Sequence, residues 1–113
     1  MLLSGFEIGV KIKSGLPLIH NNAIQNSPIK DVFRISMAQG DPGGRMSWDE
    51  TAVLVATKGY SPYYTIQKGT MIVNKDGSNS WSTKGNKHAY LVEKQPVAVV
   101  EEIINKMIQH QPR

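Results

Sequence analysis

Ser47-Trp48-Asp49-Glu50 sets an indole and two carboxylates on consecutive residues at the point where a helix begins. Each of these side chains has a chemical use and a plain structural one. A carboxylate such as Asp49 can hold a hard cation through oxygen. It can also complement the helix dipole from the first turn, which is worth roughly 0.3–1 kcal/mol. The Trp48 indole can offer its face to a planar ligand, or fill a core or lid position. Ser47 and Glu50 have the Ser-x-x-Glu spacing of a capping box. Spacing alone leaves the plain reading of Trp48 and Asp49 in front.

Other residues with chemical potential are dispersed. Glu7 in "SGFEIG" reads as a carboxylate on a strand, and Arg45 as a surface cation within reach of Asp49. His20, His88 and His110 have no metal-ligand spacing. Trp81 with Tyr60, Tyr63 and Tyr64 forms a set of aromatics that can pack a sheet or present a ring platform to a sugar or base. "NKDGSN" lacks the acidic residues of a calcium-binding EF-hand loop and reads as a turn.

The elements that must position these residues follow from pattern. "LLSGFEIGVKI" is rich in β-branched and aromatic residues and predicts a strand over 2–12, bent at Gly5 and Gly9. "KSGLPLIHNNAIQN" reads as loop. Ser27-Pro28 is an N-cap followed by proline at the first helical position. Ile29, Val32, Phe33 and Met37 then predict an amphipathic helix over 28–39. "QGDPGG" breaks it. A second helix is expected from Trp48 to about Thr57, largely buried because its run Ala52–Ala56 is apolar all round, and ended by Gly59. "YYTIQKG", "TMIVN", "SWSTKG" and "HAYLVEK" predict four short strands, with Asp-Gly supplying a tight hairpin turn. Pro96 opens a last helix whose apolar face is Val97, Val100, Ile103, Ile104, Met107 and Ile108. The order predicts a mixed α/β or α+β fold in a single domain, 1–113.

Composition narrows the class. The chain has 113 residues, is 40% hydrophobic and 19% charged, and carries a net charge of +4, so a modest globular core is expected. Its basic residues are scattered, which gives no nucleic-acid arm. With no cysteine, disulfides, thiolate metal sites and cysteine nucleophiles are excluded. No apolar run has the length of a membrane span. Residues 1–13 lack the basic start of a signal peptide, so the cytoplasm is the default expectation. Met1 opens directly onto secondary structure, which suggests a piece of something longer.

"SGFEIG", the Ser-Pro before a helix, "RMSWDETAVL", "KGTMIVNKDGSNSW" and "YLVEK", in this order, resemble the C-terminal part of nucleoside hydrolases of the inosine-uridine-preferring superfamily. The pair Trp48-Asp49, followed by Ala52, is similar to the purine-preferring branch with Trp-Asp, where many members have His-Asp. The resemblance implies a nucleoside hydrolase-like fold and hydrolysis of the N-glycosidic bond of ribonucleosides. In that family a Ca²⁺ ion held by carboxylates binds the ribose hydroxyls and a water, and an aspartate takes the water's proton. It implies Asp49 as a calcium carboxylate and Trp48 as the aromatic stacked on the purine, a residue that cannot protonate a leaving base. The family's D-x-D-x-G-x-D-D motif, which carries the base and most calcium ligands, does not occur in these 113 residues. "DPGG" at 41–44 echoes it without the paired carboxylates and reads as loop. The expectations are therefore no catalytic residue here, no calcium held by this chain alone, and no turnover in isolation. Its partners would be a ribonucleoside and either further copies of itself or an N-terminal companion chain. The alternative is a non-catalytic α/β module for binding or association.

Overall fold

The computed structural model describes residues 1–111. Eleven elements follow one another: β1 (Leu2–Leu3), α1 (Phe6–Gly9), β2 (Lys13–Ser14), α2 (Leu16–His20), α3 (Pro28–Met37), β3 (Arg45–Met46), α4 (Trp48–Lys58), β4 (Tyr64–Val73), β5 (Asn79–Ser82), β6 (His88–Glu93) and α5 (Val97–Ile108). The fold is mixed α+β, as expected. A four-stranded sheet has the order β1-β6-β4-β5, and β2 pairs with β3 in a separate two-stranded ribbon. Among the described residues no helix is long and apolar enough to cross a membrane.

Most of the expected elements form, with four corrections. The strand expected over 2–12 ends after Leu3. Its two residues run parallel to β6, Leu2 opposite Ala89 and Leu3 opposite Tyr90, and the chain then turns into the single helical turn α1. Gly9 explains the change. A Cβ there would come within 2.6 Å of the Trp48 Cα, so α1 and the start of α4 approach at a distance that no side chain permits. The segment expected as loop from 13 to 26 contains β2 and α2, with Pro17 in the first turn of α2.

The third correction concerns the exposed faces. α4 is not largely buried: only Thr51 and Leu54 are buried, and Val53 points outward. The helix expected over 28–39 ends at Met37. Its Ser27 cap forms, accepting from the Lys30 amide at 3.3 Å. Yet only Met37 is buried, whereas Ile29, Val32 and Ile35 are all more than half exposed.

The fourth concerns "YYTIQKG" and "TMIVN", which join into the single ten-residue strand β4. The break expected at Gly69 is a change of partner instead. Residues Tyr64 to Gly69 pair with β6, and Thr70 to Val73 pair with β5. The hairpin between β4 and β5 closes as expected, with Gly77 at φ 84° and the Asn74 amide donating to the Ser78 carbonyl at 2.8 Å.

The core lies between the sheet and α1, α4 and α5. It comprises Ile8, Ile12, Leu54, Tyr64, Leu91, Val100 and Ile104, with Val97 and Ile103 packed against it. The α5 face is thus the expected one, although Met107 is 41% exposed.

Candidate functional site

Trp48 and Asp49 take their positions from a chain of polar contacts that begins on α5. Asn105 is 6% exposed. Its Oδ1 accepts from the Gly15 amide at 3.0 Å, and its Nδ2 donates to the carbonyls of Lys13 and Glu101, each at 2.9 Å. Glu101 Oε2 accepts from the Lys13 amide at 2.7 Å. These contacts fix β2, which pairs with β3, Lys13 opposite Met46. The Ser47 amide then donates to the carbonyls of Gly9 and Ile12, at 3.0 and 3.1 Å. α4 therefore starts where α1, β2 and α5 together place it.

Ser47 does not act as the expected cap. Its side chain is fully buried and donates to Ser14 Oγ at 2.8 Å, and no side-chain capping bond forms at α4. Glu50 does not close the box either: its carboxylate faces the Ser14 hydroxyl at 3.5 Å, the outer limit for such a bond. The capping-box spacing is overridden because Ser14 and Ser47 satisfy each other in a site closed to water, where an unpaired hydroxyl is costly.

Trp48 is half-buried. Its Nε1 donates to the Phe6 carbonyl at 3.1 Å, and the Phe6 ring stacks on the indole with centroids 5.4 Å apart and planes at 30°. Phe6 is 69% exposed, so its outer face is open. Asp49 is exposed and, among the described residues, forms no ion pair. Asp49 and Glu50 lie on a ridge between two cavities. One, of about 340 Å³, runs between α4 and α5 over Val53, Leu54, Ile104, Met107 and Ile108. The other, of about 290 Å³, is bounded by Val32, Phe33, Arg45 and Trp48. Arg45 pairs with Asp41 and not with Asp49.

The calcium expectation meets a plain limit. Among the described residues no group of three His, Cys, Asp or Glu side chains converges. Asp49 offers at most two of the roughly six to eight oxygens that Ca²⁺ takes, so the donor set present does not make a calcium site by itself.

The remaining candidates separate. Glu7 lies on α1, exposed, and is not a strand carboxylate. His88 Nδ1 accepts from the Met71 amide at 3.0 Å, and His20 and His110 are exposed. Trp81 packs edge-to-face on Tyr90 at 4.8 Å and 90°, while Tyr64 is a core residue. Burial pushes the Tyr64 hydroxyl above its ordinary pKa of 10.0; the Thr51 hydroxyl opposes the shift and the Glu93 charge adds to it. Thr51 donates to the Ser47 carbonyl at 2.5 Å, and among the described residues the buried Tyr64 hydroxyl has no well-formed hydrogen bond.

Sequence reasoning missed Phe6, Ser14 and Asn105. The signal for Phe6 was the pair Gly5 and Gly9 four positions apart, which fits one helical turn as well as a bent strand. Comparison with the known protein families, with curated proteins and with solved structures finds no match to this chain.

Proposed function

We propose that this chain supplies the base-stacking aromatic and one carboxylate of a nucleoside-hydrolysing site, with the general base and the other metal oxygens coming from a companion chain or a further segment. The observation that carries the reading is the arrangement at the start of α4. An indole anchored by its N–H lies beside an exposed, unpaired carboxylate, and a second ring stacked on the indole presents an open face. A planar base fits such a stack, either on the outer face of Phe6 or in its place against Trp48. Asp49, one residue along, faces away from the core, where a ribose-bound cation would need it. The motifs that resemble the purine-preferring nucleoside hydrolases support the same assignment. Calcium, when held with oxygens from outside this chain, would bind ribose hydroxyls and acidify a water; this chain's part is to orient the base and lend one carboxylate.

The test is ribose release from inosine, adenosine and uridine in the presence of Ca²⁺. The chain alone should give none. Mixed with a polypeptide carrying the D-x-D-x-G-x-D-D motif, it should give saturable turnover, reduced by about a hundredfold or more in Asp49→Ala, with Trp48→Ala chiefly raising KM for inosine. Turnover by the chain alone, or complemented turnover indifferent to both substitutions, would refute the assignment.

A second reading rests on a separate observation. Ile29, Val32 and Ile35 form an exposed apolar stripe on α3, and Phe6 and Val53 are exposed as well. Large apolar patches seldom stay bare, and β1 is an edge strand. Association with another copy or with a companion chain accounts for both. Sedimentation at micromolar concentration should therefore show more than a monomer, and a clean monomer would remove this reading.

A further inference from the structure

Away from Asp49, a groove of about 600 Å³ opens between the start of α1 and the strand β5. That volume falls inside the roughly 300–1,000 Å³ typical of small-ligand clefts. Its composition differs from that of the apolar cavity between α4 and α5. Rings stand on both walls: Phe6 on one, Trp81 and Tyr90 on the other. Glu7 and Asn79, both exposed, line the groove as well; Asn79 shares the Trp81 face of β5, while the Ser80 side chain turns to the other face.

The rings are held before any ligand arrives. Trp81 lies across Gly69, where a Cβ would come within 2.6 Å of the indole Cε2. Its other restraint is the perpendicular Tyr90 ring at 4.8 Å. Among the described residues its buried Nε1 has no hydrogen-bond partner, so packing and not a directional bond holds the indole. The exposed Glu7 carboxylate lies over Gly5, where a Cβ would meet its carboxyl carbon at 2.6 Å. Among the described residues it forms no ion pair.

We propose that this groove binds a saccharide ring. A pyranose or furanose has an apolar C–H face and an equatorial belt of hydroxyls. The aromatic walls suit the first. The Glu7 carboxylate and the Asn79 amide suit the second, and a carboxylate accepting from a sugar hydroxyl forms the stronger, charge-assisted bond. The neutral Asn79 amide favours a polyol over a cation, which needs rings and charge alone. The proposal does not rest on the assignment of Trp48 and Asp49: the groove uses neither residue and shares only Phe6 with that site.

Trp48 and Trp81 are the protein's two tryptophans, so Trp48→Phe leaves Trp81 as the sole emitter. Titration of that variant with methyl glucopyranoside, methyl galactopyranoside and methyl ribofuranoside should give a saturable emission change for at least one of them. Asn79→Ala and Glu7→Gln should each weaken it by about tenfold, and Asp49→Ala should leave it unchanged. Saturation-transfer NMR on the unsubstituted chain gives the same reading without the Trp48 substitution. Three results would overturn the proposal: no saturable response to any glycoside up to about 0.1 M, a response indifferent to both groove substitutions, or saturation by tetramethylammonium and by no glycoside.

Discussion

The two tryptophans sit on two glycines, and the difference between the sites is instructive. Trp48 crosses Gly9 where α1 meets α4, and Trp81 crosses Gly69 where β4 changes partner. In both places a missing side chain lets an indole and a backbone approach. Trp48, however, has its N–H satisfied by the Phe6 carbonyl and is flanked by an exposed carboxylate. Trp81 has its N–H buried with no acceptor among the described residues and is clamped by Tyr90. The first is oriented by a directional bond at the end of a polar network, and the second by packing inside a hairpin. The positions should therefore fail for different reasons.

The largest effect is expected from Asn105→Ala, which touches only the first site. The substitution takes the Asn105 partner from the Gly15 amide and the Lys13 carbonyl, leaving Glu101 as the remaining side-chain tie from α5 to β2. Leaving buried groups unpaired costs about 1–3 kcal/mol each, so a loss of about 3 kcal/mol is expected in denaturant unfolding. In the folded fraction Trp48 emission should shift while that of Trp81 does not. Equal shifts at both indoles would mean that the two regions are one cooperative unit and would dissolve the comparison.

Paired glycine substitutions sharpen it. Gly9→Ala forces a Cβ onto the Trp48 backbone, and Gly69→Ala forces one onto Trp81 and the Ser82 carbonyl. Overpacking of this kind costs roughly 1–3 kcal/mol. Both substitutions should lower the thermal midpoint. Only Gly69→Ala should also weaken glycoside binding in the β5 groove.

The same contrast explains what was legible in the sequence. The β hairpin, the Ser27 cap, the α5 face and the position of α4 rest on local signals: Asp-Gly, Ser-Pro, a 3.6-residue period and Gly59. All four form. The capping box and the strand over 2–12 were also read locally, and both give way to contacts with residues remote in sequence. Ser47 turns from its own helix to Ser14, 33 positions away, and α1 forms because Gly9 must meet Trp48. Asn105 could not be singled out at all. A polar residue on an otherwise apolar helix face becomes informative only once β2 is known to lie against it.

Tyr64 provides a smaller effect that bridges the regions, since it starts β4 and packs beneath α4. Its folded pKa lies above 10.0, burial being the main cause. The folded state therefore keeps the phenolic proton at pH values where the unfolded chain has lost it. The associated stability is complete below pH 10.0 and falls as pH rises toward and through the folded value. Tyr64→Phe should remove that alkaline loss. At neutral pH it should change stability by no more than about 1 kcal/mol, because the hydroxyl it deletes is poorly bonded. A marked loss at neutral pH would show that the Thr51 contact is a working hydrogen bond.

The smallest effect belongs to the hairpin that carries Trp81. Asp76 Oδ1 accepts from the Ser78 amide at 3.0 Å and from the Ser78 hydroxyl at 2.7 Å, and these bonds hold its carboxyl below the usual aspartate pKa. With the folded value depressed, the contribution of Asp76 is present above its unfolded pKa and fades as pH falls through the folded one. The group is exposed and the turn lies far from the core, so the global unfolding midpoint should not move. What should change is local opening. Acidification should speed hydrogen exchange at the Ser78 amide relative to the β4 amides that pair with β6. Asp76→Asn keeps an acceptor oxygen and should flatten that pH dependence while preserving the turn; Asp76→Ala should raise Ser78 exchange at every pH. If Asp76→Ala instead altered Trp81 emission, the turn would be positioning the indole, and the packing account of the second tryptophan would have to include a polar anchor like that of the first.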